Sequence, residues 1–253
     1  HIQLNTLSKA FCSDAASFTT SPNTHVSAIS LAHPGTLPSI NQAQIDSAIK
    51  LGLALGCQIN HETYFDRKHY FYADLPKGFQ TTQDGQPICI GGLVQFLDDV
   101  TLKTCEIHHI HMEEDAGKNI HAAGSNESFV DLNRASTPLL EVVSYPDIAS
   151  TYEARTYLKT VHTIVQYLKV STGNMEEGAF RADTNISVRK KGATELGTRC
   201  ELKNINSFKF ISDAIEYEIQ RQIESLESGQ SIKQETRLWD TKKKESVAMR
   251  GKE

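Results

Sequence analysis

The residues able to do chemistry crowd into one stretch, 108–147. Its first part reads HHIHMEEDAGKNIH and places His108, His109 and His111 ahead of three consecutive acids, Glu113, Glu114 and Asp115. Its second part, VDLNRASTPLLEVVSYPD, is β-rich and sets Glu141 among Leu139, Leu140, Val142 and Val143. An ionised carboxylate in so apolar a strand is costly to bury unless a cation or a hydrogen-bond donor compensates it. Acids at a strand end and within an apolar strand are what a hard divalent cation such as Mg2+ requires, since it takes oxygen ligands. The same residues would also suit a solvated turn and one edge-strand glutamate, because acid clusters are common on surfaces. Strand alternation groups Glu113 with His109 and His111, whereas Glu114 follows Ile110 and Met112.

Three further stretches carry charge in a pattern. Residues 65–80 (FDRKHYFYADLPKGFQ) interleave aromatics with Arg67, Lys68, His69 and Lys77. Cations between rings can clamp phosphates and stack a base; the plainer reading is an aromatic core strand with a snorkelling basic rim. Residues 179–190 (AFRADTNISVRK) alternate, with Arg181, Asp183, Asn185 and Ser187 one way and Ala182, Thr184, Ile186 and Val188 the other. Residues 200–208 (CELKNINSF) repeat the idea with Glu201 and Lys203. Each strand alone reads as a solvent-facing sheet surface. Two polar walls in a chain that also carries the acidic stretch favour a phosphate or metal site.

These groups need elements to hold them. HIQLNT at residues 1–6 alternates as a strand with one polar face. Residues 11–38 are rich in Ser, Thr, Pro and Gly and read as loop. Ile45, Ala48, Ile49, Gly52 and Leu53 recur at helical spacing, with a stop near Gly56. Residues 85–100 look like a hairpin around Gly91-Gly92. A helix spans 150–170, opened by a Ser150/Glu153 capping box and striped by Ala154, Tyr157, Leu158, Val161, Val165 and Leu168. A second spans 207–228, with Phe208, Ile211, Ile215, Ile219, Ile223 and Leu226 along one face and Gly229 as stop. The remainder reads as a hairpin turning at Lys242-Lys243-Lys244.

Composition bounds the function. The chain has 253 residues, 39% hydrophobic and 23% charged, enough to bury a sizeable core. A net charge of −5 means that any RNA contact must be local. Five dispersed cysteines without a CxxC pair suit a reducing, cytoplasmic setting. No apolar run approaches the roughly 20 residues of a membrane span. The common nucleotide loops and the serine-hydrolase elbow are missing, so bound ATP would be held by side chains and metal on a sheet. Residue 1 lies within a strand pattern and residue 253 within a charged run, so the sequence reads as part of a longer protein.

The motifs together resemble the B subunit of the tRNA-dependent amidotransferase, which makes glutaminyl- and asparaginyl-tRNA from mischarged precursors. The matching segments are 1–6 (HIQLNT), 34–38 (PGTLP), 65–80, 111–118, 131–147, 175–188 (MEEGAFRADTNISV), 201–210 and 234–240. The resemblance implies an α+β catalytic region over 1–253, with a glutamine-synthetase-like antiparallel sheet and packed helices forming a cradle. It implies ATP and Mg2+ as cofactors, and an amidase (A) subunit and a small C subunit as partners. Its substrates would be Glu-tRNA(Gln) or Asp-tRNA(Asn), with no membrane involved. The alternatives are a scaffold that docks the amidase and lines an ammonia passage, and a metal-dependent hydrolase, which the missing H-E-x-x-H disfavours.

Carried over by resemblance, the Mg2+ ligands fall on His1, Glu114 and Glu141, with Glu113 as second choice to Glu114. Lys68, Lys77, Arg181, Asp183, Asn185, Glu201, Lys203 and Asn204 complete the expected catalytic set, with Arg67, Lys68, Tyr70, Lys77 and Arg181 toward nucleotide. Three departures stand out. The family usually has a Glu two residues before the histidine matching His1. Many members hold zinc on four cysteines where this chain has Cys12, Asp14, Ser27 and Ser30, so no structural zinc is expected. Tyr145 replaces a frequent Glu.

Overall fold

The computed structural model of the chain describes residues 1–121, 127–203 and 205–249. It is a mixture of antiparallel sheets and three helices, an α+β fold, as the sequence suggests. The chain divides into two compact units. Unit 1 is residues 1–95, 104–147 and 161–173; unit 2 is residues 96–103, 148–160 and 174–253.

In unit 1 the central strand is β7 (Thr101–Glu114), fourteen residues long. On one side it pairs antiparallel with β10 (Pro138–Ser144), which in turn pairs with the two-residue β1 (Ile2–Gln3). On the other it pairs with β5 (Cys89–Ile90), followed by β2 (Gln58–Ile59), and β6 (Leu93–Asp98) also pairs with it. The strand at residues 1–6 is thus shorter than its alternation suggests. Its continuation still docks: Ile2 and Leu4 are buried, and the Leu4 amide donates to Pro138 O at 2.9 Å. Separate two-stranded ribbons join β3 (Asp66–His69) to β4 (Phe79–Thr82) and β8 (Lys118–His121) to β9 (Ser128–Asp131).

Along β7 the burial changes character. Cys105 and Ile107 are buried between exposed neighbours, as in a half-covered strand, but from Ile110 to Glu114 every side chain is buried. Polar residues there cannot turn to water and must find partners inside the protein. Helix α1 (Gln42–Ala54) starts at Asn41, whose side chain accepts from the Ala43 and Gln44 amides. Its buried Gln44 Nε2 donates to Glu113 O at 2.7 Å and Leu139 O at 3.2 Å, fixing α1 to the backbone of both acid-bearing strands.

Unit 2 holds β11 (Thr184–Ile186), β12 (Cys200–Lys203), β13 (Thr236–Asp240) and β14 (Glu245–Ala248), in that order across the sheet. The β12–β13 pair is parallel, a departure from the purely antiparallel expectation, and α3 (Phe208–Glu227) lies between those two strands in sequence. The strand expected over 179–190 is reduced to three residues. Its partner β12 is only four residues long, so the rest of the segment has no ladder to join. Helix α3 packs Ile211, Ala214 and Ile215 against Leu202 and Trp239. Its buried face is rotated from the expected stripe: Glu218 and Gln222 are inside and Leu226 is out. Helix α2 (Thr151–Tyr167) has residues up to Thr160 in unit 2 and the rest in unit 1. Its cap forms as expected at Ser150 Oγ, which accepts from Glu153 N at 3.1 Å, while Glu153 reaches back to Ala149 N at 2.7 Å.

Candidate functional site

The register of β1, β10 and β7 assembles the site. Glu141 lies opposite His111, and Leu139 opposite Glu113. Ile2 lies opposite Leu140, which brings His1 alongside Glu141. His1 Nδ1 is 3.7 Å from Glu141 Oε2 and 3.9 Å from Glu113 Oε2. These three residues each offer a ligand atom within 4.8 Å of the others, a grouping that could hold a metal ion. The donors, two carboxylates and an imidazole, suit a divalent cation.

Of the two acids that compete for this place in the sequence, Glu113 is the one that joins His1 and Glu141. Its Oε2 accepts from Gln80 Nε2 at 2.9 Å, and its Oε1 accepts from Thr82 Oγ1 at 3.1 Å. Glu114 takes the other side of the strand. It pairs with Lys77 Nζ, and accepts from the Thr81 amide and from Ser136 Oγ, each at 2.8 Å. Asp115 follows, buried, 3.7 Å from Arg134 Nε. Met112, on the face away from Glu113, lines an apolar cavity of about 460 Å3 with Ile45, Ile49, Ile59 and Ile88. The face of β7 that carries Glu113 is thus polar at this end, and the opposite face is apolar around Met112 on the side of the cavity and polar around Glu114.

The histidines form a file leading to the carboxylates. His111 Nε2 is 2.8 Å from Glu113 Oε1 and 3.3 Å from Glu141 Oε2. His109 Nε2 is 2.9 Å from His111 Nδ1, and His108 Nδ1 is 2.6 Å from His109 Nδ1. Burial pulls the His111 pKa down, but hydrogen bonds to Glu113 and Glu141 outweigh it and hold the ring up at about 9. Burial and the neighbouring imidazoles His111 and His108 push His109 down to about 4. Burial would raise the Glu141 carboxyl, yet the His111 hydrogen bond and the charges of His1, His111 and Lys68 hold it well below the usual carboxylate range. Tyr145 tilts its ring over His108 at 5.0 Å between centroids, which gives its aromatic character a local role.

The basic–aromatic segment lies on the β3–β4 ribbon. Arg67 stacks over Phe79 at 4.7 Å, and Lys77 Nζ lies 5.1 Å from the Phe11 centroid and 5.4 Å from that of Phe79. Lys68 is exposed on β3. Tyr70 donates to Gln80 Oε1 at 3.5 Å; burial and the nearby acids, Glu113 first, push its hydroxyl up to about 12.

In unit 2 the expected alternation holds where it matters: Asp183 and Asn185 are exposed, Ala182 and Ile186 buried, and Arg181 half-buried. Asn185 faces Glu201 across the β11–β12 pair. Lys203 Nζ lies 3.0 Å from Asp183 Oδ2 and 3.4 Å from Glu201 Oε1, and Thr236 Oγ1 donates to Glu201 Oε2 at 2.8 Å. Burial lowers the Lys203 pKa, but Asp183 and Glu201 more than reverse that. Asn204 falls outside the described residues.

Residues that the sequence reading did not assign to the site also enter it. His111, Gln80 and Thr82 all bind its carboxylates, and the Thr81 amide binds the neighbouring Glu114. The i, i+2 spacing of His109, His111 and Glu113 was the available signal for His111; nothing local marked β4 as the strand that would face the acids.

Cys12, Asp14, Ser27 and Ser30 do come together, but around a carboxylate. Ser30 Oγ donates to Asp14 Oδ2 at 2.6 Å, and the Ser27 amide donates to Ser30 Oγ at 2.9 Å. Burial would raise the Asp14 carboxyl, while Ser30, Cys12 and Ser27 hydrogen bonds lower it further than burial raises it. One thiol, one satisfied carboxylate and two hydroxyls do not fit zinc, which prefers thiolate and imidazole in structural sites.

The fold is α+β, and its sheet gathers a histidine and two carboxylates into a possible cation site. The whole chain, residues 1–253, matches the family described as GatB/GatE catalytic domain, and the chain belongs to that family. It is 51% identical over its full length to the B subunit of the aspartyl/glutamyl-tRNA(Asn/Gln) amidotransferase of Nitratidesulfovibrio vulgaris (strain DP4), covering 53% of that protein. It is 53% identical to the corresponding protein of Chlorobium chlorochromatii (strain CaD3) and 52% identical to that of Anaeromyxobacter sp. (strain Fw109-5), covering 53% and 52% of them. The chain thus spans about half the length of the curated relatives it matches. Among the described residues, no helix is long and apolar enough to cross a membrane.

Proposed function

We propose that this chain is the catalytic region of the B subunit in a tRNA-dependent amidotransferase, a carbon–nitrogen ligase with a glutamine-synthetase-like cradle. In this reading ATP transfers its γ-phosphoryl group to the side-chain carboxylate of Glu, or Asp, on a mischarged tRNA. ADP leaves, and the substrate carboxyl becomes an acyl phosphate. Ammonia, released from glutamine by an amidase partner, then attacks the carbonyl carbon and expels inorganic phosphate. A carboxylate is too poor an electrophile to react with ammonia directly, so the activation step is required.

The convergence of His1, Glu113 and Glu141 carries the proposal. Mg2+ held by these residues would supply charge neutralisation for the phosphates, the main demand of phosphoryl transfer. The protein's own groups do the rest. His111 spans the Glu113 and Glu141 carboxylates and orients both. Lys77 keeps Glu114 paired beside them, and Lys68 adds positive charge toward Glu141. Arg67, on Phe79, presents a guanidinium suited to phosphate. Within unit 2, Asp183, Asn185, Glu201 and Lys203 form a polar wall of their own, with Lys203 paired to Asp183 and Glu201. The names of the relatives support the amidotransferase assignment and the involvement of tRNA.

Glu141→Ala in the assembled complex should abolish amidation of Glu-tRNA while glutamine hydrolysis by the amidase partner remains. Near-normal amidated tRNA from that variant would falsify the assignment.

A further inference from the structure

The histidine file does more than fill the face of a strand. We propose that His109 and His111 form a positioning pair: His109 fixes the ring of His111, and His111 fixes the spacing between the Glu113 and Glu141 carboxylates. This rests on the cation site assigned above and concerns how that site is held open in one geometry.

Glu113 and Glu141 sit on different strands and would repel each other if nothing lay between them. Glu113 is anchored by Gln80 and Thr82 of β4. Glu141 is less enclosed: its side chain is 28% exposed, and the imidazoles of His1 and His111 stand within 4 Å of its Oε2. Its orientation on the β7 side therefore depends on His111, whose Nε2 reaches one oxygen of each acid. An imidazole turned over about its Cβ–Cγ bond would present carbon where nitrogen is needed. His111 is 7% exposed, so bulk water is a poor substitute partner for Nδ1. That partner is His109 Nε2, at 2.9 Å, with the two rings stacked 26° from parallel. Whichever nitrogen carries the proton, the bond selects the ring orientation that aims Nε2 at the carboxylates. His109 and His111 are thus positioning residues, and neither is required to touch the substrate.

The experiment is Mn2+ binding followed by electron paramagnetic resonance in the intact protein, with His109→Phe, His109→Gln and His111→Phe. Phe keeps the stacked ring and removes the hydrogen bond; Gln keeps a polar atom near the position of Nε2. Partners that orient metal-ligating groups are typically worth about 10- to 100-fold in affinity. We expect His111→Phe to weaken Mn2+ binding in that range, His109→Phe by roughly three- to tenfold, and His109→Gln to restore at least half of the loss on a logarithmic scale. Wild-type affinity in His109→Phe, or a Gln variant as weak as Phe, overturns the proposal. A crystal structure of His109→Phe gives a second reading that needs no metal. A displaced or turned His111 ring supports the pair, and an unmoved ring overturns it. Absence of Mn2+ binding in the wild type, together with a displaced ring in the variant, would reject the cation site while supporting the positioning of His111 by His109.

Discussion

Glu113 in unit 1 and Glu218 in unit 2 are almost equally hidden from solvent, at 2% and 0% exposure, yet their neighbours differ in kind. Glu218 accepts from Arg221 Nη2 at 2.7 Å, Arg221 Nε at 2.9 Å and Gln222 Nε2 at 2.8 Å, and Arg237 Nε stands 3.7 Å away. Its charge is answered by guanidinium groups that stay protonated at any working pH. Glu113 receives two neutral donors and an imidazole that it shares with Glu141. A buried acid held by arginines is complete and serves the fold. Acids held by shared imidazoles still have capacity for a cation, as the proposed Mg2+ role requires.

The largest effect should come from breaking the complete member of this comparison. Glu218→Ala removes the acid of Arg221, leaving Arg237 its pair with Glu235, and should cost about 3–5 kcal/mol, read by chemical denaturation. The same site predicts a pH dependence. Burial would raise the Glu218 carboxyl, but the Arg221 and Gln222 hydrogen bonds lower it below its ordinary 4.5. The folded value lies below the unfolded one, so this stability is fully present above pH 4.5 and is lost as the pH falls below it. Glu218→Gln should flatten that acid limb; an unchanged slope would show that other groups control it.

The incomplete member should respond mainly to cations. Glu141→Gln relieves repulsion with Glu113 but gives up the ionic hydrogen bond to His111, so without divalent ions it should destabilise the protein by about 1–3 kcal/mol. In the wild type, a divalent cation at a hundredfold excess over its dissociation constant adds about 2.7 kcal/mol, a gain expected to vanish in the variant. Thermal melts with and without Mg2+ make the comparison, and an undiminished Mg2+ effect would remove Glu141 from the site.

The Asp14 knot offers an intermediate case. Asp14→Ala should destabilise by about 1–2 kcal/mol through the donors left unsatisfied. Elemental analysis should find no stoichiometric zinc in the purified protein; one tightly held zinc per chain would refute the carboxylate-centred arrangement. The smallest effect belongs to Lys203, whose side chain is 41% exposed. Lys203→Ala should cost less than about 1 kcal/mol, and a larger loss would mean that it is a structural ion pair rather than part of a polar wall.

Much of this was legible in the sequence, and the limits have physical causes. Helices α2 and α3 were marked by caps and apolar stripes, and the β13–β14 hairpin by its lysine turn. The rotation of α3 was not visible, because the apolar stripe gave no sign that Arg221 and Gln222 would bond Glu218 inside, with Arg237 from well beyond the helix close by. The parallel β12–β13 pair was hidden as well: its strands meet only after α3 has carried the chain across. At the acids, alternation placed Glu113 with His109 and His111, and the structure groups it so, while resemblance favoured Glu114. Local periodicity reported which face a residue occupies; it could not report that both faces of the end of β7 are covered.

The two-residue β1 has a dynamic consequence. His1 and Glu141 lie far apart along the chain, and they meet only while β1 stays on β10. A cation shared among His1, Glu113 and Glu141 would tie three remote segments together, making its release and the local opening of β1 a single event. Amide exchange would record that event. The Leu4 amide, bonded to Pro138 O, should exchange more slowly as Mg2+ is added, whereas amides at the far end of β7 should not respond.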